Sequence, residues 1–115
     1  EQLDINVIDH DISKANIKGR YDFIFSTDVF MYLNPTRIQS IITNIKQQTH
    51  LNGYNLIVSA LNSTKYGRPL MPLPFTFIEG ELKEYYKDWK IISYSENITA
   101  SPYPYAMILA QKVSE

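Results

Sequence analysis

Ser26, Thr27 and Asp28 place two hydroxyls and a carboxylate directly after the apolar run Tyr21–Phe25. That run reads as a strand, so these polar side chains stand at a strand's carboxyl end. In sheets with parallel strands, ligands bind in the crevice outside such ends. The same composition also suits a strand end that merely meets water. Tyr66 and Arg68 lie in Asn62–Thr76, a stretch rich in Pro, Gly and Asn and without periodicity. A loop of that length in a small domain commonly borders a binding site. The Arg68 guanidinium there offers paired donors to a small oxyanion, although a surface Tyr and Arg would look the same. Asp11 follows the β-branched run Ile5–Asp9 and can cap a turn through its carboxylate. No nucleophile elbow or phosphate loop occurs, and no side chain is singled out as catalytic.

The bulk properties narrow the partners. The formal net charge is -1, and Lys and Arg are scattered among acids. Phosphate backbones need clustered cations, so nucleic acid is not expected as a partner. No stretch approaches the roughly 20 apolar residues that span a bilayer. Cys is absent, and His10 and His50 stand far apart, so no metal site is expected. A chain of 115 residues without cysteine fits a reducing cytoplasm better than secretion. The chain starts at Glu1 and its first methionine is Met31, which suggests a fragment of a longer polypeptide.

Several elements must position the polar tips. Ile5–Asp9 and Tyr21–Phe25 are strand candidates. Asn34 and Pro35 form a helix start, as N-cap and first helical residue. Ile38, Ile41, Ile42 and Ile45 follow with one-face helical spacing, and this helix should run to about His50. Leu51-Asn52-Gly53 reads as a turn. Tyr54–Leu61 is nearly continuous in apolar residues, as in a strand covered on both faces. Ile78, Leu82, Tyr85, Tyr86 and Trp89 mark a second amphipathic helix. Lys90–Tyr94 and Tyr105–Ala110 are strands with no helix between them, so they should pair antiparallel. The order β, β, α, β, α, β, β predicts an α/β sheet with parallel members.

Taken together, Asp11-Ile12, Tyr21-Asp22-Phe23-Ile24 with Ser26-Thr27, Gly53–Val58, Pro74–Phe77, Glu79–Trp89 and Ala106–Ala110 resemble the TehB-like (tellurite-resistance) class I S-adenosyl-L-methionine-dependent methyltransferases. The resemblance runs over most of the chain. It implies a Rossmann-like sheet of order 3-2-1-4-5-7-6, of which the chain would supply strands 3 to 7. The first two strands and the glycine-rich loop would be absent, and the chain would be the C-terminal portion of a single methyltransferase domain. Tyr21–Phe25 would then be an open, apolar edge that invites pairing with another copy.

The resemblance further implies S-adenosyl-L-methionine as cofactor, with Asp11 and Ile12 at its adenine and Ser26 and Thr27 beside them. Asp28, Asn62, Tyr66 and Arg68 would border a small acceptor, such as a tellurite or selenite oxyanion. Three departures stand out. Asp28 occupies a place where the family pattern has an apolar residue. Asn62 occupies a place where the family pattern has an acid. The segment Ser95–Pro104 is short and lacks the His and Arg of the family's longer loop, which argues against an oxyanion acceptor. The fragment by itself is expected to be inactive. The alternative is a truncated, non-catalytic α/β module that acts through oligomerisation or partner binding.

Overall fold

The computed structural model describes residues 21–27, 30–62, 73–97 and 104–114. The strand expected at Ile5–Asp9 lies outside them. The elements are β1 (Tyr21–Thr27), α1 (Ile38–Gln47), β2 (Thr49–Asn62), β3 (Phe77–Ile78), α2 (Glu81–Tyr85), β4 (Lys90–Asn97) and β5 (Tyr105–Gln111). The strand order is β1-β2-β5-β4, with β3 also paired to β2. β1 and β3 run parallel to β2, while β5 runs antiparallel to both β2 and β4. This order matches the 4-5-7-6 part of the Rossmann-like sheet that the resemblance implies, and the expected antiparallel C-terminal pair is present.

The helix start is built as its residues require. The Asn34 side chain accepts the Thr36 N–H at 3.0 Å, and Pro35–Arg37 forms a 3-10 turn that leads into α1. Ile38, Ile41, Ile42 and Ile45 are all buried. The helix stops at Gln47, short of His50. Two groups satisfy its last carbonyls, which have no partner within a helix. The Thr49 hydroxyl donates to the Ile45 carbonyl at 2.8 Å, and the buried Lys112 ammonium donates to the Lys46 and Thr49 carbonyls at 3.0 Å each. A cation at this end also opposes the helix dipole.

The turn expected at Leu51-Asn52-Gly53 is instead part of β2, which begins at Thr49. Asn52 adopts φ 70°, a local kink that asparagine tolerates. The chain after β5 pairs with it: Asn52 N–H donates to the Lys112 carbonyl at 2.8 Å, and Lys112 N–H to the Gly53 carbonyl at 2.9 Å. A side chain at Gly53 would put its first carbon 2.7 Å from the Asp22 carbonyl oxygen. Gly53→Ala should therefore force β1 and β2 apart and cost about 1–3 kcal/mol, read as a shift in the urea midpoint.

The second helix is shorter than its apolar spacing suggests. Gly80 has φ 79°, so a regular helix cannot run through it, and Ile78 falls in β3 instead, 62% exposed. Leu82, Tyr86 and Trp89 are buried as their spacing implies, and Tyr86 and Trp89 meet edge to face. Lys46 ties this region to α1, donating to the Tyr85 carbonyl at 2.6 Å and to Asp88 at 2.9 Å.

The buried core cluster lies on one side of the sheet, while Ala60, also buried, falls on the other side by alternation. Ile57, Leu61, Phe77, Ala106, Ile108 and Ala110 form the sheet's contribution to this core. Between sheet and helices sits a buried polar chain. The Tyr86 hydroxyl donates to Asn55 Oδ1 at 2.9 Å, and Asn55 Nδ2 donates to the Thr49 hydroxyl at 2.8 Å. The other side carries Phe23, Phe25, Tyr54, Leu56, Val58, Met107 and Leu109, which alternation and register place on one surface. Coverage on both faces, expected for β2, is thus not found among the described residues. Phe23 and Phe25 are 52% and 58% exposed.

Candidate functional site

β4 is antiparallel to β5, and β5 to β2, so β1, β2, β3 and β4 all point the same way. Their carboxyl ends gather Thr27, Asn62, Ile78 and the end of β4 on one rim. The rim is not level. The last residue of β1, Thr27, pairs with Val58, while β2 continues to Asn62. β3 takes up the pairing at Leu61 and Asn62. Leu61 N–H is already used by the Pro104 carbonyl on the β5 side, so β3 occupies the edge beyond β1. Ser59 and Ala60, both wholly buried, span the step between the last pairing of β1 and the first of β3.

The structure separates the two hydroxyls that the sequence joined. Thr27 lies on the uncovered face and is exposed. Ser26 turns to the helix side, opposite Ile57, where its hydroxyl is buried with no hydrogen-bond partner among the described residues. Asn62 is exposed at the tip of β2, roughly 13 Å beyond the level of Thr27 at 3.3 Å per residue. Asp11, Ile12, Asp28, Tyr66 and Arg68 lie outside the described residues.

Two features of the rim escaped the sequence reading. Ser59, wholly buried on the helix side, has an unpartnered hydroxyl like that of Ser26. Nothing in the apolar run Leu56–Leu61 sets it apart. Glu96 Oε2 accepts the Gly80 N–H at 2.7 Å and the Tyr94 hydroxyl, which ties β4 to the start of α2. Burial, with Glu96 adding to it, holds the Tyr94 phenol above its ordinary range, so it stays a donor. The period-two spacing of Tyr94 and Glu96 was the available signal.

A hollow of about 500 Å³ lies elsewhere, lined by Asp22, Phe23, Leu51, Asn52, Tyr54 and Leu109. It opens on the uncovered face near the amino ends of β1 and β2. Its walls are mostly apolar, and the polar strand tips are at the opposite end of the sheet. The carboxyl-end rim is therefore the better candidate for chemistry.

The family model described as tellurite resistance protein TehB matches residues 1–101. A protein of Haemophilus influenzae named probable S-adenosyl-L-methionine-dependent methyltransferase TehB is 53% identical over 98 residues, which are 85% of this chain and 34% of that protein. A protein of Eikenella corrodens named hemagglutinin 1 is 43% identical over 98 residues, 85% of this chain and 32% of the other. The crystal structure of TehB from Haemophilus influenzae superposes with a TM-score of 0.80 at 45% identity, covering 90% of this chain and 39% of that one. The chain thus spans about a third of the length of the curated relatives it matches.

Proposed function

The chain belongs to the tellurite resistance protein TehB family, and on that premise we propose that it forms one wall of an S-adenosyl-L-methionine-dependent methyltransferase site acting on a small acceptor. The supporting observation is the stepped carboxyl-end rim, where β1 stops at Thr27 and β2 runs on to Asn62. The curated TehB relative carries the same activity in its name.

The residues present suit the cofactor. The orphaned Ser26 hydroxyl and the exposed Thr27 hydroxyl offer donors and acceptors at the strand tip. Asp11 and Ile12, supplied by the segment before β1, would hold the adenine. Bound, the cofactor supplies a sulfonium-activated methyl group. The chain's task is to hold the acceptor in line with that methyl and to exclude water. Asp28, Asn62, Tyr66 and Arg68 are the side chains proposed to border the acceptor. A tellurite or selenite oxyanion on Arg68 is the first acceptor to test. The site is proposed to be complete only with residues beyond this chain, as the share of the relatives that it spans suggests. A cytoplasmic location goes with this reading.

Titration calorimetry with S-adenosylhomocysteine tests it. The protein as its gene encodes it should bind, and the 115-residue chain alone should not. Absence of binding by the intact protein would overturn the methyltransferase reading. Binding by the chain alone would overturn the incomplete wall.

A second reading draws on the exposed Phe23 and Phe25 of β1. An unpaired apolar edge beside an uncovered apolar face is a surface for self-association. In that reading the chain is a non-catalytic module that works through a partner or a second copy.

A further inference from the structure

Buried hydroxyls without partners are uncommon in folded proteins, and each calls for an explanation. Two occur among the described residues, at Ser26 and Ser59. Their positions are related. Ser26 pairs in register with Ile57, and Ser59 is the next residue of β2 on the same face. A spacing of about 4.8 Å between strands and 3.3 Å per residue separates their Cα atoms by roughly 8 Å. Both lie where β1 ends and β2 continues. Their surroundings are apolar: Ile57 and Leu61 flank Ser59 on its face, Phe77 pairs with Leu61, and Phe30 follows β1. Phe30, Ile57, Leu61 and Phe77 belong to the buried core.

We propose that the hydroxyls of Ser26 and Ser59 form a shared, buried subsite for one neutral hydrogen-bonding group between β1 and β2. A hydroxyl both donates and accepts, so the guest can serve as donor, acceptor or both. An isolated charge would lack compensation from these described apolar walls, which favours a neutral guest. The neutral group has two sources. It is an internal water that joins β1 to β2 at all times, or a hydroxyl or amide-like group of the bound cofactor. Only the second source rests on the methyltransferase reading.

The test compares Ser26→Ala, Ser59→Ala and the double variant of the intact protein. Urea unfolding without ligand forms one arm, and titration with S-adenosylhomocysteine the other. An internal water predicts that each single variant lowers the folded-to-unfolded ratio by about five- to tenfold, with the double variant no worse than either single. A cofactor group predicts unchanged or raised stability without ligand and about tenfold weaker binding by Ser59→Ala. Ser59→Cys keeps the volume with a weaker donor and should fall between serine and alanine in the arm that responds. Two results overturn the proposal. One is variants at least as stable as the parent with unaltered binding. The other is stability losses that simply add, because separate hydroxyls then act alone. If the parent itself fails to bind S-adenosylhomocysteine, the methyltransferase reading fails while the stability arm still decides the subsite.

Discussion

Asn55→Ala should cost about 3–4 kcal/mol, enough to leave a domain of this size largely unfolded under mild stress. Asn55 is wholly buried and serves as the centre of the polar chain between sheet and helices. Its Oδ1 takes the Tyr86 hydroxyl and its Nδ2 gives to Thr49, whose hydroxyl in turn holds the Ile45 carbonyl of α1. Alanine leaves the Tyr86 hydroxyl buried and unpaired, at about 1–3 kcal/mol. It also opens a cavity that the rigid strand cannot close, which adds to the loss. Tyr86→Phe alone should cost less, about 1–2 kcal/mol, because only the Asn55 oxygen is orphaned. The double variant should lose less than the sum of the two, since neither partner then remains stranded. Urea unfolding followed by circular dichroism at fixed protein concentration gives all the values. Strict additivity would show that the Tyr86–Asn55 bond contributes nothing.

The 115-residue chain alone should associate, and Phe23→Lys with Phe25→Lys should make it monomeric. Both rings stand on β1, whose outer edge has no partner among the described residues. They touch each other, with centroids 5.8 Å apart, and continue into the uncovered face beside Tyr54 and Leu56. Burying a phenylalanine side chain contributes about 1.5–3 kcal/mol, so two lysines should weaken association by at least about 3 kcal/mol, or a hundredfold. Lysine on an edge strand also blocks strand addition by its charge. Sedimentation velocity in the tens of micromolar decides it. A parent chain that sediments as a monomer there would remove the self-association reading, and with it the functional claim on this edge. The methyltransferase reading would be untouched, because it depends on the opposite, carboxyl-end rim.

Both effects spring from features with different visibility. Phe23 and Phe25 could be read as an open edge once the order of strands was expected from the family resemblance. The Asn55 chain could not. A polar residue inside an apolar run gives no sign of whether it meets water or a buried hydroxyl, and its partner Tyr86 lies 31 residues away. The α1 stripe was legible because its four isoleucines repeat with the period of a helix, and the Asn34 cap acts through Thr36, only two residues on. The span of α2 was misjudged because Ile78 continues the apolar spacing while Gly80 breaks the backbone path. The kink at Asn52 resembled a turn because its residue types are those of turns. What extends it into β2 is the pairing with Lys112, at the far end of the chain.

Of the candidate site, the polar tip of β1 was legible and its geometry was not. Alternation alone sends Ser26 and Thr27 to opposite faces, yet which face is closed depends on where α1 and α2 pack. Local spacing and turn chemistry, carried by neighbouring residues, determined the element types, the α1 core face and the polar strand ends. The tertiary structure decided the insertion of β5 between β2 and β4, the step between Thr27 and Asn62, and the burial of Ser59. Those follow from contacts between residues far apart in the chain, whose energies no short window of sequence contains.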